Sequence, residues 1–311
     1  MWRTETRRKL DDTEFEAVRL LLAAASDHDG FPPLSDHLVI ALEQRGPNFA
    51  AVLAFHQAGN QAGELAGYGQ LARANESTSI ELVVVPDQRT HLGELVRLLL
   101  STAIDTVATD GGGRAYWWVH HPGDHVAAIA REQGLLLDRR LLQMRRSLPI
   151  VEPTTVETRA FVVGCDEAEW VRVNNAAFHD HPEQGGWTVE TLQQREAESW
   201  FEPSGFRLHD RDGALAAFCW TKVHSDASPP LGEIYVIAVD PPFHGLGLGK
   251  AMTIAGLESL AAHGVAVGML HVDAANTAAL SLYERLGFSI HHEDHAYVGV
   301  VISRTRSEQV Q

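Results

Sequence analysis

The sequence predicts an α+β (mixed α/β) protein made of two tandem domains, each a mostly antiparallel central sheet flanked by helices. Three observations predict it. Short runs of alternating or β-branched residues are interleaved along all 311 residues with longer runs of helical period. The order of these runs repeats. Pro86 and Pro241 end corresponding strands 155 residues apart, and Gly134 and Gly287 end corresponding helices 153 apart, offsets that agree within two residues over four successive elements. Between the copies, Leu148 to Thr155 carries two prolines and breaks both patterns, so the expected divisions are 1–147, a linker at 148–155, and 156–311. Two cores of ordinary size fit in such a length.

In the first copy, Asp12 to Ser26 carries Phe15, Val18, Leu20, Leu21 and Leu22 on a helical period, with Asp12 and Thr13 as caps. Asp29 to Pro33 reads as a loop, and Ser35 or Asp36 caps a short helix through Glu43. Phe49 to Phe55 and Leu65 to Leu71 are expected as hairpin strands around a turn at Gly59 to Gly63. A strand over Ser79 to Val85 stops at Pro86, and a helix follows over Leu92 to Ala108. A strand (Arg114 to Val119), a helix (Asp124 to Glu132) and a strand (Leu135 to Arg146) complete this copy.

The second copy is expected to run as a strand (Val156 to Phe161), helices at Glu167 to Phe178 and Val189 to Ser199, and a hairpin of Phe206 to His209 with Ala214 to Lys222 turning at Asp212-Gly213. Ile234 to Val239 then form a buried strand, ended by Asp240-Pro241-Pro242. Gly245, Gly247 and Gly249 lead into a helix from Lys250 to Ala262. A strand (Val267 to Val272), a helix (Ala275 to Leu286) closed by Gly287, and a strand from Phe288 end the chain.

Composition excludes several function classes. A formal net charge of −16, with no lysine-rich run to offset it, argues against nucleic acid as a partner. The cluster Arg139, Arg140, Arg145 and Arg146 is expected to be solvated strand positions. No stretch reaches the ~18 apolar residues of a membrane span, and the N-terminus is charged, so a cytoplasmic protein with no membrane partner is expected. Cys165 and Cys219 are expected as buried reduced thiols. His179 and His181 have an H-x-H spacing, but the sequence places no third ligand, so no metal is expected.

The stretch G-E-I-Y-V-I-A-V-D-P-P-F-H-G-L-G-L-G-K, Gly232 to Lys250, carries the chemistry. Strand, glycine loop and helix N-terminus in that order make a phosphate cradle, because glycines let a ligand approach the backbone and the first helical N–H groups have no intrahelical acceptor. A P-loop would need Ser or Thr after Lys250, where Ala251 stands; a dinucleotide fingerprint would need its glycines after the first strand of a domain. The spacing Val239, Pro241, His244, Gly247, Gly249 resembles the pyrophosphate loop of the GNAT superfamily of acyl-CoA N-acyltransferases, with His244 in place of the usual Gln or Arg. Glu233, a carboxylate on an apolar strand, is expected to have its pKa raised by desolvation and so to suit the work of a general base. Tyr283 and Asn276 lie seven apart on one helix face, a spacing that by itself would more often mark core.

The GNAT resemblance implies acetyl-CoA as co-substrate. It implies that Ile237, Ala238 and Val239 offer backbone groups to its pantetheine arm and that His244, Gly245, Leu246, Gly247, Leu248, Gly249 and Lys250 hold its pyrophosphate. Asn276 with Thr277, Ala278, Ala279, Leu280 and Ser281 would contact the same arm, and Tyr283 would protonate the departing thiolate. In the first copy Leu92 and Glu94 stand where the second has Gly247 and Gly249, and Gly123 and Ala130 where it has Asn276 and Tyr283, so this copy is expected to do no chemistry.

R-V-N-N-A-A-F-H-D-H-P-E-Q-G-G-W-T (172–188), W-T-K-V-H (220–224) and G-E-I-Y-V-I-A-V-D-P resemble the mycothiol synthase family, tandem GNAT proteins of actinobacteria. That resemblance implies acetyl transfer to the cysteinyl amine of cysteinyl-glucosaminyl-inositol (desacetylmycothiol), with Glu233 as base and Tyr283 as acid. Glu183 and Lys222 would bind the pseudo-disaccharide, Asp36 would be an acidic sugar ligand, and His271 stands where the family has a substrate-contacting tyrosine. The partners would be small molecules and the protein a monomer. A GNAT enzyme for another amine, such as an aminoglycoside or a protein N-terminus, and a non-catalytic CoA-binding regulator remain open at this point.

Overall fold

The computed structural model describes residues 2–44, 48–56, 63–74, 77–123, 125–179, 184–225, 227 and 229–304. In chain order its elements begin with β1 (Trp2–Arg7), α1 (Asp12–Asp29), α2 (Asp36–Gln44), β2 (Phe49–His56), β3 (Leu65–Ala74), β4 (Ser77–Val84), α3 (Leu92–Thr109), β5 (Gly113–His120), α4 (Val126–Glu132) and β6 (Leu136–Ser147). They continue with β7 (Arg159–Ala160), α5 (Glu167–Ala177), α6 (Val189–Glu196), β8 (Phe206–Arg211), β9 (Ala214–His224), β10 (Leu231–Val239), α7 (Leu248–Ala262), β11 (Val267–Asp273), α8 (Thr277–Arg285) and β12 (Ser289–Val301). The turn at Gly59 to Gly63, apart from Gly63, and Asp124 lie outside the described residues.

The chain forms two compact units: Met1–Leu141 with Glu293–Gln311, and Leu142–His292. This differs from the boundary expected at 148–155. Leu148 donates its N–H to Ala266 O at 2.8 Å, and Thr154 bonds Glu258 and Ala251, so the proline-bearing stretch is tied into the second unit. The tail of β12 is pulled into the first unit, because Asp294 to Val301 pairs antiparallel with His120 to Gly113. Hydrogen-bonded strand partners, which sequence spacing does not reveal, decide membership.

In the first unit the sheet runs β1-β2-β3-β4-β5, antiparallel except for the parallel pair β4/β5. Period-two alternation sends Val52 and Ala54 of β2 toward Leu95, Leu99 and Ala103 of α3, and Ala51 and Leu53 toward Val18, Leu21 and Leu38 of α1 and α2. Helices therefore cover both faces. The start of α1 is fixed by a capping box, in which Glu14 N–H donates to the Asp11 side chain at 2.8 Å and Asp11 N–H to Glu14 Oε2 at 3.1 Å. β1 carries no sequence signal of a strand: W-R-T-E-T-R has no apolar alternation and is held by pairing with β2.

The second unit repeats the plan, with β11-β10-β9-β8-β7 antiparallel except for the parallel pair β10/β11. Ala217 and Cys219 of β9 pack under α7, while Phe218 and Trp220 face Trp170 and Leu192 of α5 and α6. The contact under α7 is close: a Cβ on Gly256 would stand 2.4 Å from Cys219 Sγ, so only glycine lets this helix lie on the sheet. Cys219 is buried as expected, but Cys165 is exposed in the turn before α5. Arg145 and Arg146 are half-buried rather than solvated, since Arg145 donates to Gln143 and Arg146 to the Leu286 carbonyl. Among the described residues no helix is long and apolar enough to cross a membrane.

Candidate active site

The site lies where two parallel strands part. β10 pairs with β11 only from Leu231/Val267 to Ile234/Leu270. Its register against β9 then shifts between Ile234 and Val236, leaving Tyr235 as the extra residue of a bulge, which twists the strand locally. Beyond it, Ile237, Ala238 and Val239 line a pocket of about 780 Å³. Asn276, Ala278, Ala279, Leu282 and Tyr283 form the opposite wall, and Gly245, Gly247, Leu248, Gly249 and Lys250 close one end.

That end is built to receive an anion. After the 3-10 turn Pro241–Phe243, Gly245 and Gly247 take φ of 80° and 76°, the left-handed region that disfavours any Cβ. Gly247 is the N-cap of α7, so no side chain occupies the first-turn N–H groups, and that turn holds no acid to oppose a phosphate. His244 donates from Nε2 to the Val239 carbonyl at 3.0 Å and thus braces the loop against the strand end. Lys250 pairs with Glu152 at 2.6 Å, half exposed on both sides.

Asn276 caps α8, its side-chain oxygen accepting from Ala279 N–H at 3.1 Å, and the same residue faces the pocket. Tyr283, buried at 7% exposure, stands edge-on to Phe288 with ring centres 5.8 Å apart. Burial pushes its phenol up to about 12, so it is a protonated donor throughout the neutral range.

The structure reverses the expected behaviour of Glu233. Burial alone would raise its carboxyl, but hydrogen bonds from His224 Nε2 to Oε2 (2.8 Å) and from His271 Nδ1 to Oε1 (3.1 Å) outweigh burial and hold it well below the usual carboxylate range. Lys222 is its direct antiparallel partner, so both side chains share a sheet face. The Lys222 ammonium lies 4.7 Å from the Trp200 ring centre and 5.8 Å from that of Tyr235.

Other expected residues are placed elsewhere. Asp36 opens α2 in the first unit. Glu183 and His181 lie outside the described residues. Leu246, Thr277, Leu280 and Ser281 do not line the pocket: Leu246 is exposed and Leu280 packs into the core beneath α7 and α8. The pocket adds Phe243, Thr253, Leu282, Arg285 and Leu286, and Glu233 adds His224. Three-to-four spacing from Asn276 and Ala279 would have found Leu282, Arg285 and Leu286. His224 sits two residues from Lys222 on the strand opposite Glu233, a diagonal that sheet pairing alone reveals.

Residues 156–288 match the acetyltransferase (GNAT) family model. The chain is similar over most of its length to proteins named mycothiol acetyltransferase. It is 44% identical to that of Streptomyces avermitilis, covering 94% of each chain, and 41% identical to that of Nocardia farcinica, covering 93% of this chain and 95% of the relative. Among solved structures it resembles a GCN5-related N-acetyltransferase from Sphaerobacter thermophilus (TM-score 0.68, 22% identity, 96% of each chain). It also resembles a tandem GNAT protein from the clavulanic acid biosynthesis pathway (TM-score 0.68, 17% identity, 98% of this chain and 100% of the other). These two show the tandem fold.

Proposed function

Since the chain belongs to the mycothiol acetyltransferase family of GNAT enzymes, we propose that it transfers the acetyl group of acetyl-CoA to the cysteinyl amine of cysteinyl-glucosaminyl-inositol, the last step in making mycothiol. One observation carries the reading: an uncapped, acid-free helix start, an unpaired strand edge and a buried tyrosine meet in a single pocket of about 780 Å³.

Acetyl-CoA supplies the activated acetyl group. The first-turn N–H groups of α7 and the glycines before it hold the pyrophosphate, with Arg285 as a further cation on the pocket wall. The free edge at Ile237 to Val239 takes the pantetheine amides and gives one N–H to the oxyanion, a donor typically worth ~2.7–4 kcal/mol. Tyr283 donates the proton that lets CoA leave as a thiol. A phenol held at about 12 stays far from ionised, so its proton moves as the C–S bond breaks rather than before. Glu233 serves the acceptor amine, and Lys222 and His271 bind beside it. Asp36 and Glu183 enter as acceptor ligands through the family resemblance.

The test is acetyl-CoA consumption by the purified protein with cysteinyl-glucosaminyl-inositol, following the acetylated product by chromatography. Turnover that collapses in Glu233→Ala is expected. Bound acetyl-CoA without turnover would leave the cofactor site standing and discard this acceptor.

A further inference from the structure

Of the 25 lysines and arginines in the sequence only three are lysines, Lys9, Lys222 and Lys250. Lys9 and Lys250 are exposed, whereas Lys222 is 7% exposed. Taking an ammonium out of water is costly unless negative potential faces it. Here two ring faces contribute to that potential. Lys222 Nζ lies 4.7 Å from the ring centre of Trp200 and 5.8 Å from that of Tyr235. Both lie within the ~6 Å over which an aromatic face attracts a cation, and indole is the strongest such face.

The two rings come from different parts of the second unit. Tyr235 is the extra residue of the β10 bulge, so its ring shares with Lys222 and Glu233 the sheet face turned toward α5 and α6. Trp200 belongs to no strand or helix. Two successive turns, Glu198 N–H to Arg195 O at 3.2 Å and Phe201 N–H to Glu198 O at 3.0 Å, carry it from the end of α6 to β9. There its ring leans on Trp220, centres 5.7 Å apart, and stands edge-on to Tyr235 at 5.1 Å, while Trp220 and Tyr235 are edge-on to each other at 5.2 Å. Three rings in mutual contact have little room to turn, so the indole face is fixed before any ligand arrives.

Resting on the acyl-transfer reading above, in which Lys222 binds the hydroxyl-bearing part of the acceptor, we propose that Trp200 is a positioning residue of the acceptor site: its indole face holds the Lys222 ammonium on the sheet beside Glu233, so that the sugar meets a cation already in place. Glu233 keeps its part toward the amine, with His224 and His271 engaging one oxygen each. An ammonium carries three donors without the rigid fork of a guanidinium, which suits it to hydroxyls met at varied angles. A ring face attracts its charge without fixing the direction of any one N–H. What the wall supplies is order, since a four-carbon stem otherwise gives up its rotamer freedom only when the acceptor binds. Trp200 does not line the pocket that takes acetyl-CoA, so its effect belongs to the acceptor alone.

Two measurements on the full chain decide it. In Trp200→Leu, KM for cysteinyl-glucosaminyl-inositol rises about tenfold, while kcat and KM for acetyl-CoA stay within about twofold. Trp200→Phe, which keeps a weaker ring face, raises the same KM only about threefold. In a Lys222→Met background Trp200→Leu moves the acceptor KM by less than about twofold, because the ring then has no ammonium to hold. An acceptor KM unchanged in Trp200→Leu, a loss spread over kcat and both KM values, or an undiminished effect in the Lys222→Met background overturns the proposal. The second measurement, NMR of protein labelled with ¹³C at the lysine ε carbons, needs no acceptor. The ε protons of Lys222 lie upfield of those of Lys9 and Lys250, displaced by the ring faces, and Trp200→Leu brings them back toward the other two. Lys222 signals that coincide with those of the exposed lysines in wild type overturn the proposal. Wild-type protein that does not acetylate this acceptor removes the acceptor reading, and the lysine signals report separately on whether Trp200 holds the ammonium.

Discussion

Both units bury a glutamate on the first strand of their parallel pair and set histidine against it, yet the stoichiometry is inverted. In the first unit one imidazole, His120, lies between two carboxylates, 3.5 Å from Glu81 and 3.3 Å from Asp294. Burial would lower its pKa, but the two acids raise it to about 10. In the second unit one carboxylate, Glu233, lies between two imidazoles, and the carboxylate is the group whose charge is locked. Two acids around a histidine make a fixed cation with no lone pair to give. Two histidines around an acid hold a fixed carboxylate. The helix starts differ in the same sense: α3 begins after a 3-10 turn with Glu94 in its first turn, whereas α7 begins at a left-handed glycine with no acid. The two units share a strand plan and differ in these counts of charge and in the two glycine φ angles before α7.

The strongest way to break this contrast is Glu233→Ala, expected to lower kcat ~10²–10⁴-fold. Its counterpart, Glu81→Gln, should leave turnover per folded molecule within about twofold and instead destabilise the protein by ~3–5 kcal/mol in urea unfolding, because it strips a buried pair of one partner. Comparable losses of turnover in both would erase the distinction between the units. Next is Gly247→Ala: a non-glycine at φ 76° costs ~1–2 kcal/mol, so KM for acetyl-CoA should rise about tenfold with kcat nearly kept.

Stability against pH separates the units by sign. His120 has a raised pKa, so its contribution is full below the unfolded value of ~6.5 and is lost as pH climbs toward about 10; urea midpoints fall over that range in wild type and flatten in His120→Gln. Glu233 has a depressed pKa, so its contribution is full above the ordinary ~4.3 and is lost on the acid side, a slope that Glu233→Gln removes. The smallest effect is at the loop. His244→Ala loses one hydrogen bond to Val239, ~0.5–1.5 kcal/mol, raising KM for acetyl-CoA a few-fold at most.

Much of this was legible in the sequence, and the boundary of legibility is physical. The glycine loop is legible because backbone freedom is a local matter, whereas Asn276 and Tyr283 stand out only through the family resemblance, their helical spacing alone being that of core residues. The sign of the Glu233 shift is not legible, since it depends on His224 and His271, which reach the carboxylate across two different strand pairings. Likewise β1 is not legible, because an edge strand of polar residues is held by its neighbour rather than by its own pattern. Leu280 and Ser281, within the contiguous run that the resemblance implies, do not line the pocket, because a helix turns successive residues away from any one wall.

Membership of β12 in the first unit has a consequence for synthesis. The partner that completes this sheet beside β5 is residues 294–301. A ribosome making the chain from the N-terminus must therefore deliver almost all of it before the first unit can close, while β5 waits with an open edge. The part of the protein that emerges first is the part that finishes folding last, and for that interval it depends on whatever shields an unpaired strand in the cell.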